Sequence, residues 1–208
     1  MSITEAEVQR YKRELTRLET LIDSVFALVI VFIAFDIPRP DDVGTDDVGR
    51  FVTEQMLAFG ASAIGLVVVL VYWFQSNVLL GNLVRTDGKH AFFSVFQVFL
   101  VLVYLYTVGL GTDLDNVPPA LAAQSLAAAL VGFAAAAAWF YASKDRRLLS
   151  PELTAAEIGA LRLRVLAEPL TAVLTLILAF VDPLWWELGW LAYPLFAMLL
   201  RRAGVTGG

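Results

Sequence analysis

The chain has 208 residues, 59% of them apolar and only 17% charged. A soluble domain of this length could not bury so much apolar surface, so the composition selects the membrane class. With no cysteine, one histidine (His90) and a net charge of −5, it excludes disulfides, thiol chemistry, a histidine-rich metal site and a nucleic-acid footprint.

The N-terminal stretch "SITEAEVQRYKRELTRLET" favours helix and runs into the first apolar run. That run is short: 12 uncharged residues lie between Asp23 and Asp36. They make about 18 Å of helix, against a hydrocarbon core of about 30 Å. A span here takes an aspartate to its edge. A cleaved signal peptide is disfavoured, because "FDIPRPDD" follows in place of a small-residue cleavage site. Three later uncharged runs, 55–84, 91–112 and 116–143, each exceed the roughly 20 residues that a span needs. Two further runs, after Glu168 and Glu187, reach that length only with a flanking acid. The expected fold is therefore all-α, with six transmembrane helices at about 20–37, 53–82, 90–111, 118–143, 156–181 and 184–202. The whole of 1–208 reads as one membrane domain without cofactor.

Loop charge orients the spans. With the N-terminus cytoplasmic, thirteen of the fifteen Lys and Arg residues fall inside, and only Arg39 and Arg50 outside. Asp41, Asp42, Asp46, Asp47, Asp113, Asp115 and Asp182 gather on the outer side. This is the positive-inside pattern, and it places both termini in the cytoplasm.

Individual spans carry their own signals. Along the first, Leu28, Val31 or Phe32, and Phe35 recur at helical spacing, so Leu28 and Phe35 lie nearly on one line. Asp23 is about 140° away from that line, has no same-face partner on its own helix, and must find one elsewhere. Trp73, Gln75, Ser76 and Asn77 on the second span, with Ser94 and Gln97 on the third, are donors at the right depth. The alanine-rich fourth span suits close helix packing. Trp185, Trp186, Trp190 and Tyr193 read as interfacial anchors. On the fifth span Arg164 and Glu168 are four apart and can pair, as a neutralised couple or as a proton or ion relay, and Pro169 bends the helix.

These residues resemble the potassium channels related to lysosomal transmembrane protein 175, in particular their short bacterial homologues. The first helix of that family carries Arg-x-x-x-Phe-Ser-Asp before an apolar run ending in acidic-Ile-x-x-Pro. Here Arg17 and Asp23 occupy the motif, with Leu21 and Ile22 in place of the aromatic and hydroxyl residues, and Asp36-Ile37 closes the run. "VYWFQSN" is similar to part of the second helix and "AEPLTAVLTLILAFVDP" to the fifth. Gln75, Ser76 and Asn77 stand where relatives often have Asn-His-His. The resemblance implies a homotetramer in a bacterial plasma membrane, conducting monovalent cations, chiefly potassium, through a pore lined by the first helix. It implies a constriction at Leu28 followed outward by Phe32 and Phe35, and a selectivity position at Val31. It further implies a structural motif at Arg17 and Asp23, partnered by Trp73, Gln75 and Asn77, and an outer mouth at Asp36. No enzymatic activity is expected. The rival expectation is a small secondary transporter or proton-coupled carrier using Asp23 and the Arg164–Glu168 pair. Against it, the sequence shows no inverted repeat and no paired broken helices.

Overall fold

A computed structural model of the chain describes residues 5–35, 48–114 and 116–206. Asp36, the outer-mouth candidate, lies outside the described residues. The helices are α1 (Glu5–Phe35), α2 (Val48–Leu80), α3 (Gly88–Asp113), α4 (Pro118–Ser143), α5 (Ala155–Arg164), α6 (Ala167–Leu178), α7 (Pro183–Gly189) and α8 (Ala192–Thr206). β-Pairing among the described residues is one isolated antiparallel bridge, Leu83 with Leu149. Among the described residues four helices, α1 to α4, are long and apolar enough to cross a membrane.

Two of the expected spans are broken. The fifth divides into α5 and α6 across Val165–Leu166, and the sixth into α7 and α8 across Trp190–Leu191. Each break lies one turn before a proline, Pro169 or Pro194. Proline gives no N–H to the carbonyl four residues back, and its ring crowds that carbonyl. Those carbonyls belong to Val165 and Trp190. Around both sites the chain tightens to bonds spanning three residues: Leu166 N–H donates to Leu163 O at 3.1 Å, and Leu191 N–H to Leu188 O at 3.0 Å. The sequence thus does hold a pair of interrupted helices, contrary to the expectation above. Two local caps fix where these limbs begin. Thr154 and Glu157 form a reciprocal capping box at the start of α5. Asp182 accepts from Leu184 N–H at 2.8 Å, with Pro183 in the first helical position of α7.

Helix α4 is the hub, packed most extensively against α3 and α6. Its alanines make this approach close, and Gly132 makes it closer. A Cβ at Gly132 would lie 2.8 Å from Pro169 Cδ, and nearer still to Glu168 Oε2. Helix α1 lies on α2 and α3 instead. At the end of the bundle where α2 passes into α3, the loops are tied to each other. Val84 N–H donates to Leu148 O and Ser150 N–H to Asn82 O, both at 3.0 Å.

Candidate pore helix and its anchors

Helix α1 has two unlike faces. Leu15, Leu18, Ile22, Phe26, Val29 and Ile33, spaced three or four apart, are buried against the bundle. The opposite face carries Leu21, Leu28, Val31, Phe32 and Phe35, between 46% and 63% exposed. On the N-terminal half of the helix, away from the bundle, stands a series of hydroxyls that the sequence reading passed over. Thr16, Thr20 and Ser24 donate to the carbonyls of Lys12, Thr16 and Thr20 at 3.1, 2.8 and 2.7 Å. Each hydroxyl is satisfied by its own helix, which leaves its lone pairs free to face water or an ion. The signal was in the sequence, as a polar step of four residues.

Asp23 accepts a hydrogen bond from Trp73 Nε1 at 3.0 Å, joining α1 to α2. The other expected partners are elsewhere. Gln75 is two residues from Trp73 and so on the far side of α2, buried, with its Nε2 unbonded. Asn77 is exposed and makes no bond to Asp23. Ser76 accepts from Gln97 Nε2 at 3.2 Å, forming a separate buried contact between α2 and α3. Arg17 is exposed, with no hydrogen bond or ion pair among the described residues.

The Arg164–Glu168 pair does not form. A spacing of four brings two side chains together only along an unbroken helix, and the break at Val165–Leu166 intervenes. Glu168 is buried at 2% exposure and bonds with the Tyr72 hydroxyl, which also meets Ala128 O of α4. Arg164 is exposed. Tyr72 therefore joins α2, α4 and α6 at one point. No local pattern announced this contact, because the two residues are 96 apart in the chain.

Trp186 is another correction. It is 1% exposed, and its Nε1 donates to Ser125 Oγ of α4 at 2.8 Å, so it serves packing inside the protein. Trp185 is exposed, as an anchor would be.

Asp87 closes the loop end of the bundle. Its Oδ1 accepts from the N–H groups of Lys89 and His90 at 3.1 and 2.9 Å, capping α3, and its Oδ2 accepts from the Tyr141 hydroxyl at 2.8 Å. Partial burial pulls this carboxyl upward. The His90 N–H, the Tyr141 hydroxyl and the Lys89 N–H outweigh it, and hold the group below the ordinary aspartate value. His90, buried beside it, has Nδ1 2.9 Å from Thr86 Oγ1.

Similarity to known proteins begins at this helix. Residues 17–105 match the family described as endosomal/lysosomal potassium channel TMEM175. A protein of Streptomyces collinus named as a potassium channel is 24% identical over 170 residues, covering 80% of this chain and 82% of the relative. The fold is similar to the crystal structure of a lysosomal potassium-selective channel TMEM175 homolog from Chamaesiphon minutus, with a TM-score of 0.69 at 18% identity, over 90% of this chain and 98% of that one. It is also similar to a variant of the potassium channel MtTMEM175 in complex with a nanobody fusion, with a TM-score of 0.60 at 18% identity and 92% coverage of each chain.

Proposed function

We propose that this chain, a homologue of the endosomal/lysosomal potassium channel family TMEM175, is a multi-pass membrane protein that conducts potassium along the uncovered face of α1. One observation carries the reading: Leu28, Val31 and Phe32 form an apolar row on α1 that stays about half exposed among the described residues. An apolar row beside a series of hydroxyls suits a conduit made by several copies, each contributing its first helix. Four copies, related by symmetry, bring the four Leu28 side chains together near the axis. The constriction works by dewetting, because a narrow apolar ring holds water poorly and a hydrated cation crosses it at a cost. Inward of it, Thr16, Thr20 and Ser24 offer oxygens to the ion. Outward, Phe32 and Phe35 continue the apolar wall, and Asp36 closes it as a ring of carboxylates that concentrates cations. Val31 is the position at which ions are discriminated.

The Trp73–Asp23 bond holds α1 at a fixed rotation, so that the row keeps facing the axis. Arg17 reaches across to a neighbouring copy, in keeping with its having no hydrogen bond or ion pair among the described residues. The chain acts as one domain in a bacterial plasma membrane, as its likeness to a bacterial potassium channel supports, and the thirteen-to-two loop charge supports both termini in the cytoplasm. The carrier reading loses its main support, since Arg164 and Glu168 lie apart.

Reconstitution into vesicles loaded with potassium tests the proposal. A passive potassium flux that rises in proportion to the gradient, and rises further in Leu28→Ala, is expected. Flux that saturates and requires a counter-ion gradient would overturn it.

A further inference from the structure

The arginines near the loop end of the bundle are almost all docked on the protein's own oxygens. Arg85 Nε and Nη2 donate to Arg147 O at 3.0 and 2.6 Å. Arg146 Nη2 donates to Pro151 O at 3.2 Å and also to Leu153 O. Arg147 Nε donates to Lys144 O at 3.3 Å, and its guanidinium lies 4.7 Å from the centre of the Tyr141 ring. Arg162 grips the last residue of α4, with Nε on Ser143 Oγ at 2.9 Å and Nη2 on Ser143 O at 3.0 Å.

Arg164 is different. Among the described residues it has no hydrogen bond and no ion pair, and its neighbour in sequence, Glu168, is engaged by Tyr72 beyond the break. It lines a groove of about 580 Å³ between α5 and α8, together with Tyr193. The rest of that groove is apolar, including Leu161, Ala197 and Met198. Its depth follows from Arg162. That side chain is fixed to the end of α4, and Arg164 is two residues farther along, about 3 Å of helix rise. A bare guanidinium thus borders hydrocarbon at the level where a span meets the head groups. Such a cation is costly unless an anion joins it.

We infer that the groove between α5 and α8 binds an anionic phospholipid, with its phosphate on Arg164 and Tyr193 and an acyl chain along Leu161, Ala197 and Met198. The chemistry is complementary at both ends. A guanidinium offers two parallel N–H groups to phosphate oxygens, and the tyrosine hydroxyl adds a third donor. Basic recesses between transmembrane helices are suited to lipid head groups in this way. The apolar walls select a lipid over free phosphate, which has nothing to place there. The inference requires only that the chain spans a bilayer, and stands apart from what the pore conducts.

Native mass spectrometry of the full chain, titrated with dioleoyl-phosphatidylglycerol and with dioleoyl-phosphatidylcholine as the neutral control, tests it. The phosphatidylglycerol should be retained in preference to the phosphatidylcholine. Arg164→Gln should cut its retention by about fivefold, the worth of one basic side chain near an anionic surface. Ala197→Phe, which fills the groove and keeps the charge, should reduce it as well, and Tyr193→Phe by less. Millimolar inorganic phosphate should not displace the lipid. Equal retention by the natural chain, Arg164→Gln and Ala197→Phe would overturn the site, as would displacement by inorganic phosphate. Loss of the oligomer in Arg164→Gln with phosphatidylcholine alone would give Arg164 to a second copy of the chain and overturn it too.

Discussion

Helices α1 and α4 are both long and apolar enough to cross a bilayer, but they are built for opposite neighbours. In α4, 72% of the spanning stretch is buried inside the protein, and in α1 only 28%. The difference lies in side-chain size. Alanine and Gly132 let α4 be approached from several directions at once, so its own chain covers it. The Leu28, Val31 and Phe32 face of α1 is bulky and stays about half exposed. Mean apolarity says that each helix avoids water. It does not say what each helix is meant to touch.

That contrast can be broken first at its tight end. Gly132→Leu places a side chain where Pro169 and Glu168 already stand, and overpacking of this kind costs about 1–3 kcal/mol or more. The melting temperature in detergent should fall sharply, and α6 should lose its seat on α4. Tyr72→Phe should come next. It leaves the buried Glu168 without its tyrosine, a penalty of about 1–3 kcal/mol measurable by thermal unfolding. Trp73→Phe should cost less, about 1 kcal/mol, because Asp23 is exposed enough for water to replace the lost N–H. At the open end, Leu28→Ala should change protomer stability by no more than about 0.5 kcal/mol, as expected of an uncovered position. Its potassium flux should nonetheless rise. A large loss of stability in Leu28→Ala would mean that this face is packed after all, and would erase the comparison.

The smallest effect concerns pH. Asp87 is held below its ordinary value, so its contribution to stability is complete above about pH 4. It is lost as the pH falls through the lowered value. The advantage of the natural chain over Asp87→Ala in melting temperature should therefore be constant near neutrality and shrink below about pH 4. A difference that grew on acidification would contradict the hydrogen bonds around this carboxylate.

Much of this was legible in the sequence, and the failures share a cause. Three of the four long helices followed from uninterrupted apolar runs, the first from a helix-favouring charged stretch running into a short one, and the two-faced character of α1 from spacing alone. Asp23 pointed to another helix because nothing on its own face could satisfy it, and Trp73 was among the donors at its depth. The reading failed where a local rule was carried across a discontinuity. Arg164 and Glu168 were paired by a helical repeat that Pro169 interrupts, although the bend itself was foreseen. Pro194 does the same to the last limb, and there the apolar composition concealed it. Tyr72 with Glu168, and Trp186 with Ser125, are contacts between distant segments, which depend on how helices stack and leave no periodic trace.

Tyr72 and Trp73 are consecutive residues, and they bond in different directions. One ring is held at the kinked α5–α6 limb through Glu168, the other at α1 through Asp23. Neighbours on a helix are fixed about 100° apart and cannot be turned separately. Helix α2 thus works like a crankshaft with two pins on one turn. Any twist of it that withdraws one ring swings the other, so the kinked limb and the first helix share a single mechanical setting.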